Sequence, residues 1–367
     1  MLLFGWIVLS VALAAVTLLP MFNCSDWKIR CWEFPRLQIF VLATLCCIFG
    51  LYINFSLAAE NVNSLITWSI TLLNVWVMGY QAKWLYRFLP WMEKTSRACK
   101  QPNSEQVGLK VLVANVLMKN QHKDELISLV KQTKPDIVIT LESDKDWQCA
   151  LDRGIAYDYP YSIKKPLNNL YGMHLYSKLA IEKYEVSYLI EPKIPSFHAR
   201  VKMPSGQEIK LRVLHPKPPS PTEADYSQSR DAELLVVGKQ ISKDDVPTIV
   251  TGDLNDVAWS RTTREFVKLS GLKDPREGRG FFNTFHAMIP VLRWPLDHIF
   301  HSDHFSLVKM EKFKLKGSDH YSLFTELALD KQSVEIKSRE HQRQDKDLAK
   351  QRMNAENADS HDVPDVE

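Results

Sequence analysis

Residues 246–256 read VPTIVTGDLND, and this stretch carries the most information about the fold of the 367-residue chain. The apolar run at 246–250 predicts a short buried strand, bounded by turn-forming residues. Asp253 and Asn255 follow it, and residues i and i+2 of an extended chain point the same way. A carboxylate and a carboxamide side by side at a strand end suit the binding of a phosphate ester and of the water that attacks it.

The same arrangement recurs along the chain, where other apolar runs also deliver polar residues near their ends. One polar residue at a strand end is ordinary turn chemistry. Six apolar runs that each deliver Asn, Asp, Glu or His near an end instead indicate one shared site. The residues are Asn115, Glu142, His215, Asp253, Asp297 and the Asp319-His320 pair.

The first 80 residues contain three long uncharged runs, at 2–22, 37–59 and 62–80. Each run matches the roughly 20 residues that a helix needs to cross a bilayer, so three transmembrane helices are predicted. The alternative for the first run is a cleaved signal peptide. Such a signal begins with basic residues, whereas no Lys or Arg precedes Lys28, so uncleaved helices are favoured.

The placement of Lys and Arg predicts the orientation of these helices, because basic residues favour the cytoplasmic side. Lys28, Arg30 and Arg36 lie in the first loop, and five more basic residues lie at 83–100. With three spans, the first loop and the C-terminal part share one side, which is predicted to be cytoplasmic. If the third run only lies on the membrane surface, the C-terminal part faces the other side.

The composition divides the rest of the chain into a polar linker at 93–107, a globular domain at 108–330 and a charged tail at 331–367. The tail has almost no aromatic residues and is predicted to be disordered, with a coiled coil or partner helix as the alternative. The domain has 31 Lys and Arg against 29 Asp and Glu. This near balance gives no overall basic footprint for nucleic acid, although a local groove can still be basic.

Strand-like runs outnumber helical patterns within 108–330, and helical patterns at 123–134 and 225–241 separate some of them. This order predicts an α+β sandwich covered by helices. The six cysteines show no CxxC or Cys/His spacing, so no zinc site is predicted. Cys24 and Cys31 are able to pair only if the first loop faces the periplasm.

The order and spacing of the polar residues resemble the endonuclease/exonuclease/phosphatase superfamily, over roughly residues 108–329. That superfamily includes pancreatic-type deoxyribonucleases, abasic-site endonucleases, inositol polyphosphate 5-phosphatases and neutral sphingomyelinases. Among bacterial members, the chain looks like membrane-anchored hydrolases of unassigned substrate. The motifs that carry the resemblance are Asn115, Glu142, His215-Pro216, Gly252-Asp253-Leu254-Asn255, Asp297 and Ser318-Asp319-His320.

The resemblance implies a four-layer αββα sandwich and hydrolysis of phosphodiesters or phosphomonoesters with magnesium, or else manganese. It implies that Glu142 is a metal ligand, that Asp319 is a further carboxylate on the metal side, and that Asn115 assists at the metal or the phosphate. Magnesium prefers such hard oxygen ligands, typically one or two carboxylates together with waters.

The resemblance also implies the catalytic roles. Asp253 activates water, and Asn255 donates hydrogen bonds to phosphate oxygens. His320 faces the phosphate and is oriented by Asp297. His215 is a candidate general acid or phosphate contact.

Taken singly, several of these residues have structural alternatives. Asp297 is also a candidate for a buried salt bridge with Arg230 or Arg293. Trp259 and Trp294 lie near the site in sequence and either stack on a base or sugar or belong to the core or rim.

The sequence therefore predicts a membrane-anchored, divalent-metal-dependent phosphoester hydrolase in the bacterial inner (plasma) membrane, with the lipid bilayer as a partner. The substrate is left open between DNA and a lipid headgroup, and no protein partner is implied. A compact, near-neutral domain weakens the case for a nuclease, whereas a membrane anchor favours lipid headgroups. A non-catalytic membrane scaffold with a retained fold is the alternative of a different class.

Overall fold

A group of N-terminal helices precedes two facing β-sheets in the structure, which is a computed structural model. It describes residues 1–22, 24–56, 64–102, 106–221, 223–242 and 245–330. The predicted charged tail at 331–367 lies outside the described residues, as do residues 57–63, which include the ends of two predicted spans.

The N-terminal helices correspond to the predicted membrane region. They are α1 (Leu2–Leu18), the short α2 (Trp27–Arg30), α3 (Arg36–Ser56) and α4 (Ser64–Leu85). Within the described ranges, two segments are long and apolar enough to cross a membrane, Leu2–Met21 and Arg36–Ser56. The third predicted span does form a helix, α4, but α4 is not among these candidates, so three apolar spans are not found.

Helix α4 is less apolar than α1 and α3 because it carries polar side chains. These side chains are buried against the other helices. Asn74 Nδ2 donates to Ser10 Oγ at 2.9 Å, and Gln81 Nε2 donates to Thr17 Oγ1 at 2.9 Å. Hydrogen bonds of this kind link helices where no water is present to satisfy polar groups. Polar residues on α4 therefore hold the three long helices together.

The described part of the domain contains eleven strands and four helices. The strands are β1 (Gln106–Asn115), β2 (Ile137–Leu141), β3 (Tyr161–Lys165), β4 (Met173–Ser177), β5 (Ile181–Ser187), β6 (Ser196–Lys202), β7 (Glu208–Val213), β8 (Thr248–Asp253), β9 (Asp297–His301), β10 (Phe305–Lys314) and β11 (Tyr321–Asp330). The helices are α5 (Lys123–Thr133), α6 (Lys145–Ile155), α7 (Gln228–Ile241) and α8 (Arg261–Ser270).

The strands form two sheets, of order β10-β11-β1-β2-β4-β3 and β5-β6-β7-β8-β9. Two central pairs are parallel, β1 with β2 and β7 with β8. The carboxyl ends of parallel neighbours meet at one edge of a sheet, which is where α/β proteins bind ligands. The predicted sandwich of two sheets is confirmed.

Three apolar clusters hold the layers together. Val111, Ile139 and Leu211 belong to the cluster between the two sheets. A second cluster packs α5 and α6 on the outside of the six-stranded sheet, and a third packs α7 and α8 on the five-stranded sheet. The layers are therefore helix, sheet, sheet and helix. Central strands buried on both faces explain the continuous apolar runs in the sequence.

Three elements were not predicted from the sequence, namely β3, β5 and α6. Most of β5 is exposed, so its sequence IEKYEVS lacks the apolar run of a buried strand. Helix α6 is capped by Asp144, whose side chain accepts from the Trp147 backbone N–H at 2.9 Å. Its buried residues Trp147, Ala150, Leu151 and Ile155 do follow a helical spacing, so the sequence contained the signal for this helix and the prediction overlooked it.

The N-terminal region makes direct contacts with the domain. The Trp27 backbone N–H donates to the Asp225 carbonyl at 2.9 Å, and the Ser227 N–H donates to the Ser25 carbonyl at 2.8 Å. In the predicted linker, the Cys99 N–H donates to the Leu307 carbonyl at 2.8 Å. The first loop and the linker therefore both lie against the folded domain.

Candidate active site

Strand ends bring the predicted polar residues to one edge of the sandwich. Asn115 is the last residue of β1, Glu142 follows β2, and Asp253 is the last residue of β8. Asp297 opens β9 and is paired in register with Asp253. His320 directly precedes β11. The two sheets thus each contribute side chains to the same edge.

Asn115 links the two sheets through its side-chain amide. Its Nδ2 donates to Glu142 Oε1 at 2.8 Å and to Asp253 Oδ2 at 3.1 Å. Its backbone carbonyl accepts from Ser318 Oγ at 2.8 Å, which ties the loop before His320 to β1. Asn115 therefore sets the distance between the carboxylate of one sheet and that of the other.

His320 lies between two carboxylates. Its Nδ1 is 2.8 Å from Asp297 Oδ2, and its Nε2 is 3.5 Å from Asp253 Oδ2. Burial by itself would lower the pKa of His320, but the charges of Asp297 and Asp253 outweigh it and raise the pKa to about 10. The imidazole is therefore held as a cation, with Asp297 as its orienting acceptor.

Asn255 reaches the site through a turn. The prediction that Asp253 and Asn255 point the same way along an extended strand is therefore wrong. Strand β8 ends at Asp253, and Asn255 has the left-handed φ of +51°. Its backbone N–H donates to Asp253 Oδ1 at 2.9 Å, while its Nδ2 donates to the Pro216 carbonyl at 2.9 Å. This side-chain turn holds Asp253 and Asn255 next to each other.

His215 lies buried beside Tyr171, with their ring centroids 5.2 Å apart. Burial lowers the pKa of His215, so the ring is neutral near pH 7. Its Nδ1 has no hydrogen-bond partner among the residues that the structure describes. The Tyr171 hydroxyl is engaged elsewhere, because it donates to the Glu223 carboxylate. His215 is therefore able to hydrogen-bond a bound phosphate, but as a neutral ring it brings no positive charge to the site.

Glu142 and Asp319 fit the requirements of a hard cation. Burial raises the pKa of Glu142 to about 7, although the Asn115 hydrogen bond lowers it, and the charges of Asp253 and Asp319 raise it further. Asp319 Oδ1 is buried and has no hydrogen-bond partner within the described residues. Crowded carboxylates with an unsatisfied oxygen are the environment that a divalent cation relieves.

A second grouping by distance alone consists of Asp253, Asp297 and His320, whose ligand atoms lie within 4.8 Å of one another. His320 Nδ1 is bonded to Asp297, and the nearby carboxylates raise the pKa of the ring, so a cation bound at Nε2 would have to displace a proton. A metal ligand must be deprotonated. Glu142, Asp319 and Asn115 remain the predicted metal side, and Asp253, Asp297 and His320 remain predicted catalytic residues.

The structure also decides between the alternatives for single residues. Asp297 bonds His320, whereas the guanidinium groups of Arg230 and Arg293 bond other residues in the described part of the chain. Trp259 is buried and its Nε1 donates to the Glu33 carbonyl at 2.8 Å, so it belongs to the core. Trp294 stacks on Phe285, at a centroid distance of 6.4 Å.

Two residues near the site have contacts that were not predicted from the sequence. Phe285 packs on His320 with ring centroids 4.9 Å apart, and covers one face of the imidazole. Arg230 donates from Nη1 to the Asn255 carbonyl at 2.8 Å. Both lie far from their partners along the chain, so only an observed covariation of residues would have indicated them.

The chain belongs to the endonuclease/exonuclease/phosphatase family, whose model matches residues 112–320. The match runs from within β1 to His320, just before β11, and includes every predicted site residue. Membership indicates hydrolysis of phosphoester bonds. Among curated proteins, no sequence matches the chain.

Solved structures show the same fold at low sequence identity. An endonuclease/exonuclease/phosphatase from Beutenbergia cavernae is 16% identical, with a TM-score of 0.51, over 61% of this chain and 72% of that one. D. rerio TDP2 complexed with single-strand DNA product is 20% identical, with a TM-score of 0.51, over 60% and 98%. A Bacteroides vulgatus family member is 18% identical, with a TM-score of 0.50, over 61% and 99%.

Proposed function

We propose that this protein is a membrane-anchored, divalent-metal-dependent phosphoester hydrolase. The observation that carries the proposal is the chain of contacts from Asp297 through His320 to Asp253, at 2.8 Å and 3.5 Å. Burying an imidazolium and two carboxylates carries a desolvation cost. We take the retention of this arrangement as a sign that the imidazolium has a function. It supplies a fixed positive charge and a proton donor at the edge where β8 ends.

Glu142 and Asp319 would hold the metal, with Asn115 fixing the position of Glu142. When bound, a divalent cation polarises a phosphoryl oxygen and stabilises the leaving oxygen. The raised pKa of Glu142 implies that the carboxyl group exchanges its proton for the cation near neutral pH.

Of the remaining residues, Asp253 acts on the attacking water, and the others act on the phosphate. Asp253 accepts a proton from the attacking water, and the Asn115 amide at 3.1 Å keeps that carboxylate in place. His320 donates to the phosphoryl oxygen on which negative charge develops. Asn255 and His215 lie at the same edge and supply further hydrogen bonds to the phosphate.

The membrane anchor is supported by Leu2–Met21 and Arg36–Ser56, which have the length and composition of spanning helices. The contacts of Trp27 and Ser25 with the domain support a shared side for the first loop and the active site. Because basic residues cluster in that loop and after α4, this side is proposed to be the cytoplasm.

The test uses the full chain, purified in detergent, with bis-p-nitrophenyl phosphate, p-nitrophenyl phosphate and single- and double-stranded DNA as substrates. Hydrolysis is expected with Mg²⁺ or Mn²⁺ and not in excess EDTA. His320→Ala is expected to lower the rate by roughly 100-fold or more, as loss of a general acid–base does. His198→Ala is the matched control, because His198 is a buried histidine on β6 whose ring bonds Ser196.

Equal rates in EDTA would refute metal dependence. A folded wild-type protein without any metal-dependent turnover, on these substrates or on phospholipids, would favour the scaffold alternative. Thermal unfolding of each variant shows whether a lost rate reflects a lost fold.

A further inference from the structure

An exposed apolar segment lies between α8 and β9. We define residues 286–293 as the rim loop. Met288, Ile289, Val291 and Leu292 of this loop are 61%, 41%, 71% and 45% exposed. Elsewhere in the described part of 106–330, no five-residue window holds more than two exposed large hydrophobic residues. A contiguous apolar patch of this kind marks a contact surface, because water disfavours it.

The rim loop is tied to the active site at its base. The Ala287 backbone N–H donates to the Asp319 carbonyl at 2.6 Å, next to the predicted metal ligand. Phe285, the residue before the loop, packs on the His320 ring. Arg293 closes the loop, since its Nη2 donates to the Ala287 carbonyl at 3.0 Å. Whatever the loop tip contacts is therefore held at the rim of the site.

The tip also reaches the first turn of a candidate membrane span. Gln38, the third residue of α3, donates from Nε2 to the Val291 carbonyl at 2.8 Å. Phe34, just before α3, packs edge-on against Trp294 at 5.8 Å. Residues at the start of a span lie at the level of the lipid headgroups. The exposed side chains of the tip thus lie beside the first turn of α3, whose exposed apolar residues begin at Val41.

We infer that the rim loop inserts into the bilayer surface and that the active site takes its phosphoester from a lipid headgroup. The inference rests on the proposed function, since it needs both the anchor and the hydrolytic site. A membrane is the favoured partner of the rim loop because the loop lies against the first turn of α3, a candidate membrane span. Arg293 is the only charged side chain in the loop, whereas a nucleic acid would require several cations.

The reaction is hydrolysis, so no further reactant is needed. A water oxygen bonds to phosphorus, one phosphorus–oxygen ester bond breaks, and a proton from the water ends on the leaving oxygen. The products are an alcohol and a phosphate with one ester bond fewer. Which of the two separates from the bilayer depends on the bond that breaks.

The experiment uses the full chain in liposomes of phosphatidylglycerol and phosphatidylethanolamine, with bis-p-nitrophenyl phosphate as the water-soluble substrate. The double variant Met288→Gln, Val291→Asn is expected to lower phospholipid hydrolysis by roughly 10-fold or more, because it removes the apolar anchor. The same variant should change hydrolysis of the soluble diester by less than about 2-fold. The matched control is Tyr157→Ser, which removes a 99% exposed aromatic from the turn after α6.

The outcomes separate the two proposals. Wild-type protein that hydrolyses the soluble diester or DNA but no phospholipid overturns the lipid inference and leaves the proposed function standing. Equal losses on both substrates assign the loop to the site and also overturn the inference. Failure of the wild type on every substrate refutes the proposed function itself.

A second measurement tests insertion directly. A spin label at Val291→Cys, in a Cys149→Ser background, is expected to collide more with oxygen and less with an aqueous nickel complex once liposomes are present. A label at Tyr157→Cys should not change, and unsubstituted Cys149→Ser is the blank for the remaining thiols. If the label at residue 291 is already shielded from the nickel complex without lipid, protein covers the loop. That result would overturn the inference.

Discussion

Arg230 of α7 donates a 2.8 Å hydrogen bond from Nη1 to the backbone carbonyl of Asn255, a residue with a φ of +51°. The same guanidinium is 2.8 Å from Asp231 and 3.4 Å from Asp256. Asp231 in turn is 3.6 Å from Arg30 of the first loop. A chain of charges, buried except at Asp231, thus runs from the N-terminal region to the turn that carries Asn255.

Replacing Arg230 by Met is expected to destabilise the protein by about 3–5 kcal/mol, because it leaves the buried Asp256 carboxylate without its cation. The measurement is thermal unfolding of the full chain in detergent. Arg200→Met is the matched control, since Arg200 pairs with Glu208 on an exposed surface. Surface pairs contribute about 0–1 kcal/mol, so similar losses for both variants would contradict the prediction.

Asp297→Asn is expected to shift the alkaline limb of the pH–rate profile to lower pH. Asp297 and Asp253 raise the pKa of His320 to about 10, and burial opposes them. Without the Asp297 charge the ring loses its proton at lower pH, so the active protonated form disappears earlier. We expect roughly a 10- to 100-fold loss at pH 8. The measurement is kcat/KM for bis-p-nitrophenyl phosphate between about pH 5 and pH 10. An alkaline limb at the wild-type pH in the variant would contradict this role for His320.

Metal affinity is expected to fall on acidification, because Glu142 has a pKa raised to about 7 by burial. A protonated carboxyl must lose its proton to become a ligand. The dissociation constant for Mn²⁺ should therefore rise roughly 10-fold between pH 8 and pH 6. Isothermal titration calorimetry checks this, and Glu142→Gln should bind more weakly and without that pH dependence. A pH-independent constant for the wild type would remove Glu142 from the ligand set.

Glu233 of α7 should make stability fall as pH rises. Burial raises its pKa to about 7, with a further rise from Glu191, and Oε1 has no partner among the described residues. The folded state therefore binds the proton more tightly than the unfolded state. The stability that this proton contributes is fully present below the ordinary pKa of about 4.5 and is lost as pH rises through 7.

The neutral variant Glu233→Gln should accordingly exceed wild-type stability by about 1–3 kcal/mol at pH 8, and by little at pH 4.5. Thermal unfolding at the two pH values measures this difference. A wild-type advantage at pH 8 would mean that the carboxylate has a partner that stabilises its charge.

Gly252→Ala is expected to disrupt the site itself. Gly252 has a φ of +139°, and an added Cβ would lie 2.0 Å from the Leu214 carbonyl oxygen. Because that atom belongs to the backbone, β8 must move and carry Asp253 with it. We expect loss of folded protein or a loss of activity of at least about 100-fold. Gly206→Ala is the control, since Gly206 also has a positive φ but open space around it. Its activity should remain near that of the wild type.

Much of the sandwich is predictable from local sequence. Buried strands such as β2 and β8 appear as continuous apolar runs, and such runs end where polar residues begin. The same runs place Asn115, Glu142 and Asp253 at strand ends, and the family motifs add Asp297 and His320. Exposed strands such as β5 leave no comparable run in the sequence, because only a buried face imposes a pattern.

The sequence by itself determined which residue types stand at the strand ends and that the N-terminal region is apolar, although it predicted three spans where two helices qualify. Tertiary structure alone decided that Asn115 joins Glu142 to Asp253, that Arg230 supports Asn255, and that the polar residues of α4 face its neighbours. The hydrogen bond from Asn115 to Asp253 joins residues 138 positions apart. Contacts at that separation form only when two sheets close on a common core, so no local pattern in the chain records them.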